Sequence, residues 1–179
     1  MANDEARQPP AVPDAILEAI ERAREGASEP QARERVPYLG FLLGTEIYGL
    51  PLQRLKEVSR LTGLRRIPGA PPGVAGLVNL RGEIVCALDA RAILGLSERN
   101  REMDRRASDG AGFLLALRGF GDPLGLLVDS IADIFAIDPD EIEPPPSTWP
   151  AGRAVYFLGT TRVADGLMGL LDLDRLVKG

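Results

Sequence analysis

From Tyr38 onward the apolar residues fall in short runs, broken every few positions by Gly, Pro or Asp. The runs 38–43, 46–52, 55–60, 73–80, 83–88, 112–118, 123–128, 131–136, 153–160 and 166–172 read as β-strands. Strands so short and so evenly spaced suggest small barrels rather than βαβ units. Two segments depart from this pattern. Asp89–Leu96 and Asp172–Lys178 each follow a strand and open with an aspartate that can cap a first helical turn. Ser97–Gly110 is highly charged and aperiodic, and reads as an exposed loop between two halves. Pro144–Pro150 is too rich in proline to join a central strand.

The first 36 residues have a different texture. Within them Asp14 is an N-cap, Ile16, Leu17, Ile20 and Ala23 share one face, and Gly26 is a stop signal, which predicts a short amphipathic helix over 14–25. Ala27–Arg35 reads as a polar linker. The simpler reading of this extension, 1–36, is a frayed tail. The sharper one is a helix docked on its own barrel or on a partner.

The strand region repeats itself. Phe41-Leu-Leu recurs as Phe113-Leu-Leu, and Gly49–Val58 aligns without gaps on Gly125–Ile134, so that Leu50, Leu52, Leu55 and Val58 fall on Leu126, Val128, Ile131 and Ile134. Glu57 falls on Asp133, and Leu88-Asp89 on Leu171-Asp172. Three matches in the same order indicate a duplication. A five-stranded set this short cannot bury its own apolar face alone, so two related barrels are expected, over the approximate halves 37–96 and 111–179. The copies differ at one informative place. Gly76-Leu-Val-Asn-Leu-Arg-Gly82 in the first corresponds to the neighbourhood of Leu158–Val163, where the Asn-Leu-Arg-Gly string is absent. A contact site carried by one copy would lie with Asn79 and Arg81 at that glycine turn.

Composition narrows the function. With 45% apolar and 26% charged residues the chain is ordinary for a globular protein. A net charge of −5 and 5% aromatics oppose a nucleic-acid barrel, which needs a basic groove and aromatic platforms. The longest apolar runs are too short to cross a bilayer, the start is polar, and the single Cys86 permits no internal disulfide, which together point to a cytoplasmic setting. There is no histidine, which removes the commonest general base and every Cys/His zinc or Ser-His arrangement. Asp89 and Asp172 are placed to cap helices rather than to form an acid dyad, since neither sits in an Asp-Thr/Ser-Gly turn. Cys86 reads as a buried thiol. No catalytic residue, metal ligand or cofactor site is expected.

Several stretches resemble one family, the CheW-like coupling proteins of bacterial chemotaxis. Tyr38–Leu52 is similar to the family's opening strand pair, Leu55-Lys-Glu-Val58 to its next strand, and Pro68–Val85 to its most distinctive segment, a proline turn leading into Asn-Leu-Arg-Gly. Val128–Ile134 and Leu170–Asp174 fit the second half, so the resemblance covers about 38–177. It departs where the family usually has proline and this chain has Cys86, and in the N-terminal extension.

The resemblance implies an all-β fold of two intertwined, five-stranded SH3-like barrels over 37–179, and no catalysis. The implied function is an adaptor binding both the cytoplasmic tip of chemoreceptors and the CheW-like regulatory domain of a CheA-type histidine kinase. It also implies location in receptor arrays at the inner face of the membrane, without membrane insertion, and higher-order rings with kinase regulatory domains. The alternative is a scaffold of the same family in surface motility or second-messenger signalling, with a different partner set. By the resemblance Arg81 is the first expected partner-binding residue. Its planar fork suits a carboxylate or carbonyls, although it can also tie its own loop to an acid such as Glu57. Glu57, Asn79, Gly82, Leu55 and Val85 complete the expected face; Asn79 fixes the turn, and either Val85 or Ile84 supplies an apolar anchor.

Overall fold

The alternating runs fold into ten strands in the computed structural model, which describes residues 12–24, 35–96, 112–164 and 166–178. In chain order these are β1 (Val36–Leu43), β2 (Glu46–Pro51), β3 (Leu55–Arg60), β4 (Val74–Leu80), β5 (Glu83–Asp89), β6 (Phe113–Leu117), β7 (Leu124–Val128), β8 (Ser130–Ile137), β9 (Phe157–Val163) and β10 (Gly166–Leu171). Helices are few and short: α1 (Asp14–Arg24), α2 (Ala90–Ile93), α3 (Ala151–Ala154) and α4 (Leu173–Lys178), with 3-10 turns at Leu52–Arg54 and Pro139–Glu141. Most of the expected charged loop 97–110 and linker 27–35 lies outside the described residues.

Two five-stranded sheets result, ordered β8-β1-β2-β10-β9 and β3-β6-β7-β5-β4. Exchanging each strand for its counterpart in the other copy (β1 with β6, through to β5 with β10) turns one order into the other. The registers agree as well. Gly49 lies opposite Leu170 where β2 runs parallel to β10, and Gly125 lies opposite Ala87 where β7 runs parallel to β5. The Asp89 N–H donates to the Gly73 carbonyl at 2.8 Å, and the Asp172 N–H to the Tyr156 carbonyl at 2.8 Å. The duplication legible in the sequence is therefore present in the strand order and register of the backbone.

The expectation that the halves 37–96 and 111–179 each make one barrel is corrected by this topology. Each sheet takes two strands from one half and three from the other, because β2 leads into β3, and β7 into β8, by crossing between sheets. Each crossing is clamped by the helix that follows the other copy's last strand. Arg54, at the first crossing, donates to both carboxylate oxygens of Asp174 in α4 at 3.1 and 3.0 Å, which holds the Asp174 carboxyl below its ordinary pKa. At the second, Arg91 of α2 pairs with Asp129, whose Oδ2 also accepts the Gly44 N–H at 2.5 Å. The same clamp is built twice with its charges exchanged.

Each barrel has a small core of its own and both share a larger one. Leu61, Val78, Val85, Ala87, Leu114 and Leu127 fill the β3–β4 barrel, and Tyr38, Ile47, Ile137, Met168 and Leu170 the other. Leu39, Phe41, Leu50, Leu55, Leu115 and Leu126 belong to the cluster that joins them. Barrel closure relies on two equivalent glycines. The segment after β3 pairs with β4 through Arg65 and Leu77, and the segment after β8 pairs with β9 through Glu143 and Thr160. A Cβ on Gly76 would strike the Arg65 carbonyl oxygen, and one on Gly159 the Glu143 carbonyl oxygen.

Asp89 and Asp172 cap α2 and α4 as expected: Asp89 Oδ1 accepts from the Arg91 and Ala92 N–H groups at 2.9 and 3.2 Å, and Asp172 Oδ1 from Arg175 at 3.1 Å. The strand expected over 153–160 begins only at Phe157, because Pro150 starts the turn of α3. That turn sets Arg153 over the Trp149 ring at 4.6 Å from its centroid. The helix expected over 14–25 is α1, and it is docked rather than frayed: Ile16 and Ile20 are buried in the shared cluster.

Candidate partner-binding face

Strands β4 and β5 form a hairpin whose register leaves only Arg81 and Gly82 in the turn between Leu80 and Glu83. A type I′ turn, one of the two that match strand twist, needs positive φ at both positions. Gly82 has φ +91 at no steric cost, whereas Arg81 has φ +52, the sole positive-φ non-glycine among the described residues. Asn79 holds the turn, its Oδ1 accepting the Gly82 N–H at 2.8 Å. The arginine is thus lifted to the tip of the hairpin with 81% of its side chain exposed.

The tip leans on β3, the neighbouring barrel edge. Arg81 lies 2.8 Å from Glu57, and Lys56 lies 2.5 Å from Glu83, so two adjacent residues of opposite sign on β3 meet two of the reverse order on the hairpin. All but Glu57 are substantially exposed, and pairs of this kind add little to stability. They fix position. Glu57 aims the guanidinium while most of it stays open to solvent.

Of the six residues expected here, Arg81, Glu57, Asn79 and Gly82 are brought together at this tip. Leu55 and Val85 are not part of its surface: both are 1% exposed, Leu55 in the shared cluster and Val85 inside the β3–β4 barrel. The apolar position on the outer face is Ile84, 54% exposed, with Ile67 also exposed on the segment that pairs with β4. Alternation in β5 gave the choice between Ile84 and Val85 but not its phase. Lys56 and Glu83 were missed because their pairing depends on how the hairpin tip meets β3 when the barrel closes. In the second copy the position equivalent to Arg81 is Ala164, so the arginine is not repeated there.

Elsewhere among the described residues no reactive constellation is found. Among the described residues no cluster of three or more His, Cys, Asp or Glu side chains can hold a metal. Cys86 is half-buried, and burial pushes its thiol pKa up. Asp89 and Asp172 line equivalent depressions beside α2 and α4, with volumes of about 260 and 580 Å³. The walls have diverged: Pro72 and Ala75 in the first stand where exposed Val155 and Leu158 stand in the second. No described helix is long and apolar enough to cross a membrane.

A model of the CheW-like domain family matches residues 37–179. The chain belongs to that family. Chemotaxis protein CheW of Treponema pallidum is 29% identical over 143 residues, covering 80% of this chain and 82% of the relative. Chemotaxis protein CheW of Helicobacter pylori is 24% identical over 163 residues, covering 91% and 94%. The crystal structure of the scaffolding protein TtCheW from Thermoanaerobacter tengcongensis superposes with a TM-score of 0.69 at 24% identity, covering 84% of this chain and 92% of that one. The two interlocked five-stranded sheets are thus those of a CheW-like domain, and the extension carrying α1 precedes the matched region.

Proposed function

We propose that this CheW-like protein is a non-catalytic chemotaxis adaptor that couples chemoreceptors to a CheA-type histidine kinase, binding the kinase's regulatory domain and the receptor's cytoplasmic tip. The observation that carries the reading is Arg81. A two-residue turn of this geometry favours Asn or Gly at its first position, and arginine there brings backbone strain while contributing only one exposed ion pair to the fold. Strain held at a solvent-facing charged side chain is accounted for by what that side chain binds. A guanidinium steadied by Glu57 and flanked by exposed Ile84 supplies a charge-assisted fork beside an apolar anchor, the composition of an interface hot spot.

Two further features support an adaptor over an enzyme. The duplication provides two barrels of one architecture with different outer chemistry, a means for one chain to hold two unlike partners. The described surface lacks a convergent set of acid, base and nucleophile. In this reading the protein works by geometry, holding receptor and kinase so that movement in one biases the other.

Calorimetric titration against the regulatory domain of the kinase and against a receptor tip fragment tests the proposal. Arg81→Glu should fold normally and lose affinity for one partner. Undiminished affinity for both would remove Arg81 from the site, and absence of binding by the unaltered protein to either partner would remove the adaptor function.

A further inference from the structure

The duplication supplies an internal control for surface features, because whatever the fold requires should appear beside both α2 and α4. The two depressions there differ. Beside α2 the wall carries Pro72, Gly73 and Ala75, and the volume is about 260 Å³. Beside α4 the counterpart positions carry Val155, Tyr156 and Leu158, and the volume is about 580 Å³. Val155 is 47% exposed and Leu158 52%. The first copy closes its barrel and caps its helix without either side chain, so the fold does not need them. Large apolar side chains left open together in a depression mark a place where something binds. A volume of about 580 Å³ lies within the roughly 300–1,000 Å³ of small-molecule sites, and the counterpart depression falls below that range.

The charges on the same wall say what kind of molecule fits. Asp172 is committed twice to Arg175, through the backbone N–H at 3.1 Å and Nε at 3.3 Å. Asp174 is committed to Arg54 through both of its oxygens. Each acid therefore has its own arginine, and Lys178 is left over. It is exposed at the rim, and among the described residues it enters no hydrogen bond or ion pair. Its charge is felt along the wall, since it adds to the larger effect of Arg54 in lowering the Asp174 pKa. We propose that this depression is a binding site for a small organic acid, whose apolar body rests on Val155 and Leu158 and whose carboxylate meets Lys178. The occupant lies against Asp174, the residue that with Arg54 clamps the crossing from β2 to β3. The site does not depend on the adaptor reading.

The test titrates the full-length protein, observed through the methyl resonances of its valines and leucines, with hydrocinnamate. Hydrocinnamyl alcohol, the same body without the charge, is titrated in parallel. Saturable shifts confined to Val155 and Leu158 are expected, with the acid binding about threefold more tightly than the alcohol at low ionic strength. In Lys178→Gln that preference should vanish. Leu158→Ala, which places there the residue the first copy has at Ala75, should weaken binding of the acid by about fivefold. Val155→Ala carries the same comparison if Leu158→Ala disturbs the barrel. Leu17→Ala removes an exposed leucine on α1 and should change nothing. Shifts that fail to saturate, or that appear equally at Leu17, would mean adventitious contact with exposed apolar groups only and would overturn the site. Equal binding of acid and alcohol, or a preference that survives Lys178→Gln, would overturn the assignment of an organic acid.

Discussion

Replacing Arg81 by asparagine separates what the residue does for the fold from what it does for a partner. Left-handed backbone costs an ordinary L-residue roughly 1–2 kcal/mol, and asparagine escapes much of that. Asparagine followed by Gly82 is also the preferred pair for a two-residue hairpin turn. Against this gain stands the ion pair to Glu57, 2.8 Å long but made by a side chain 81% exposed, so its worth lies at the low end of about 0.2–1 kcal/mol. The balance for Arg81→Asn lies between no change and about 1 kcal/mol of stabilisation, or a Tm rise of up to about 4 °C for a chain of this size. In binding the sign reverses. Loss of a charge-assisted arginine contact should cost about 2 kcal/mol, roughly thirtyfold in Kd. Differential scanning calorimetry and isothermal titration on one preparation measure both. A Tm lowered by more than about 4 °C would mean that Arg81 is kept for the fold, and the strain argument would fail. A higher Tm with undiminished affinity would mean that the strained arginine serves neither end.

Gly76→Ala and Gly159→Ala should both destabilise, by about 1–3 kcal/mol, because the added methyl meets equivalent carbonyl oxygens where each barrel closes, and Gly76→Ala should cost the more because Gly76 also has φ +151. Urea titration checks this, and a large effect at only one site would show that the closures are not equivalent. Stability should also fall in alkali. Burial and the 2.6 Å hydrogen bond from Tyr48 to Glu46 push the Tyr48 pKa above its ordinary 10.0. A group raised in the folded state contributes its stability in full below the unfolded pKa and loses it as pH climbs through and beyond that value. The denaturation midpoint should therefore decline above about pH 10, and less steeply in Tyr48→Phe; an identical decline in the variant would exclude Tyr48 as the cause.

What the sequence showed, and what it withheld, follows the range of the interactions concerned. The strand β3, the two capping aspartates and the repeat of Gly49–Val58 in Gly125–Ile134 were legible because each depends on neighbours within a few residues or on internal comparison. The pairing of Arg81 with Glu57 was one of two readings open to sequence, and the structure contains it. Leu55 and Val85 were assigned to the surface face but are buried. Period two in a strand tells which residues share a face, and only the sheet's position in the barrel tells which face is inside. Helix α3 was missed because its turn depends on Pro150 and on Arg153 finding Trp149. The docking of α1 was open to either reading, since an amphipathic face states that a helix has a partner surface and not where that surface lies.

The interlocked topology makes a claim about folding that a tandem duplication would not. Suppose the chain is divided between Asp104 and Arg105, within the charged segment that joins the two copies. The first piece then holds β1 and β2, which belong to one sheet, and β3 to β5, which belong to the other. Taken alone, β1 lacks β8, β2 lacks β10, and β3 and β5 lack β6 and β7. A two-stranded hairpin is marginal in water, and the shared cluster would lose one wall along its whole length. Neither piece should give a cooperative melt by itself. Mixed in equal amounts they should regain the far-ultraviolet circular dichroism of the intact chain, because every missing strand is supplied by the other piece, at a melting temperature that rises with concentration. If each piece instead melted cooperatively alone, and mixing changed nothing, each half would be a barrel in its own right. The crossings at Leu52–Arg54 and Asp129, with their exchanged charge clamps, would then not be what joins the two copies.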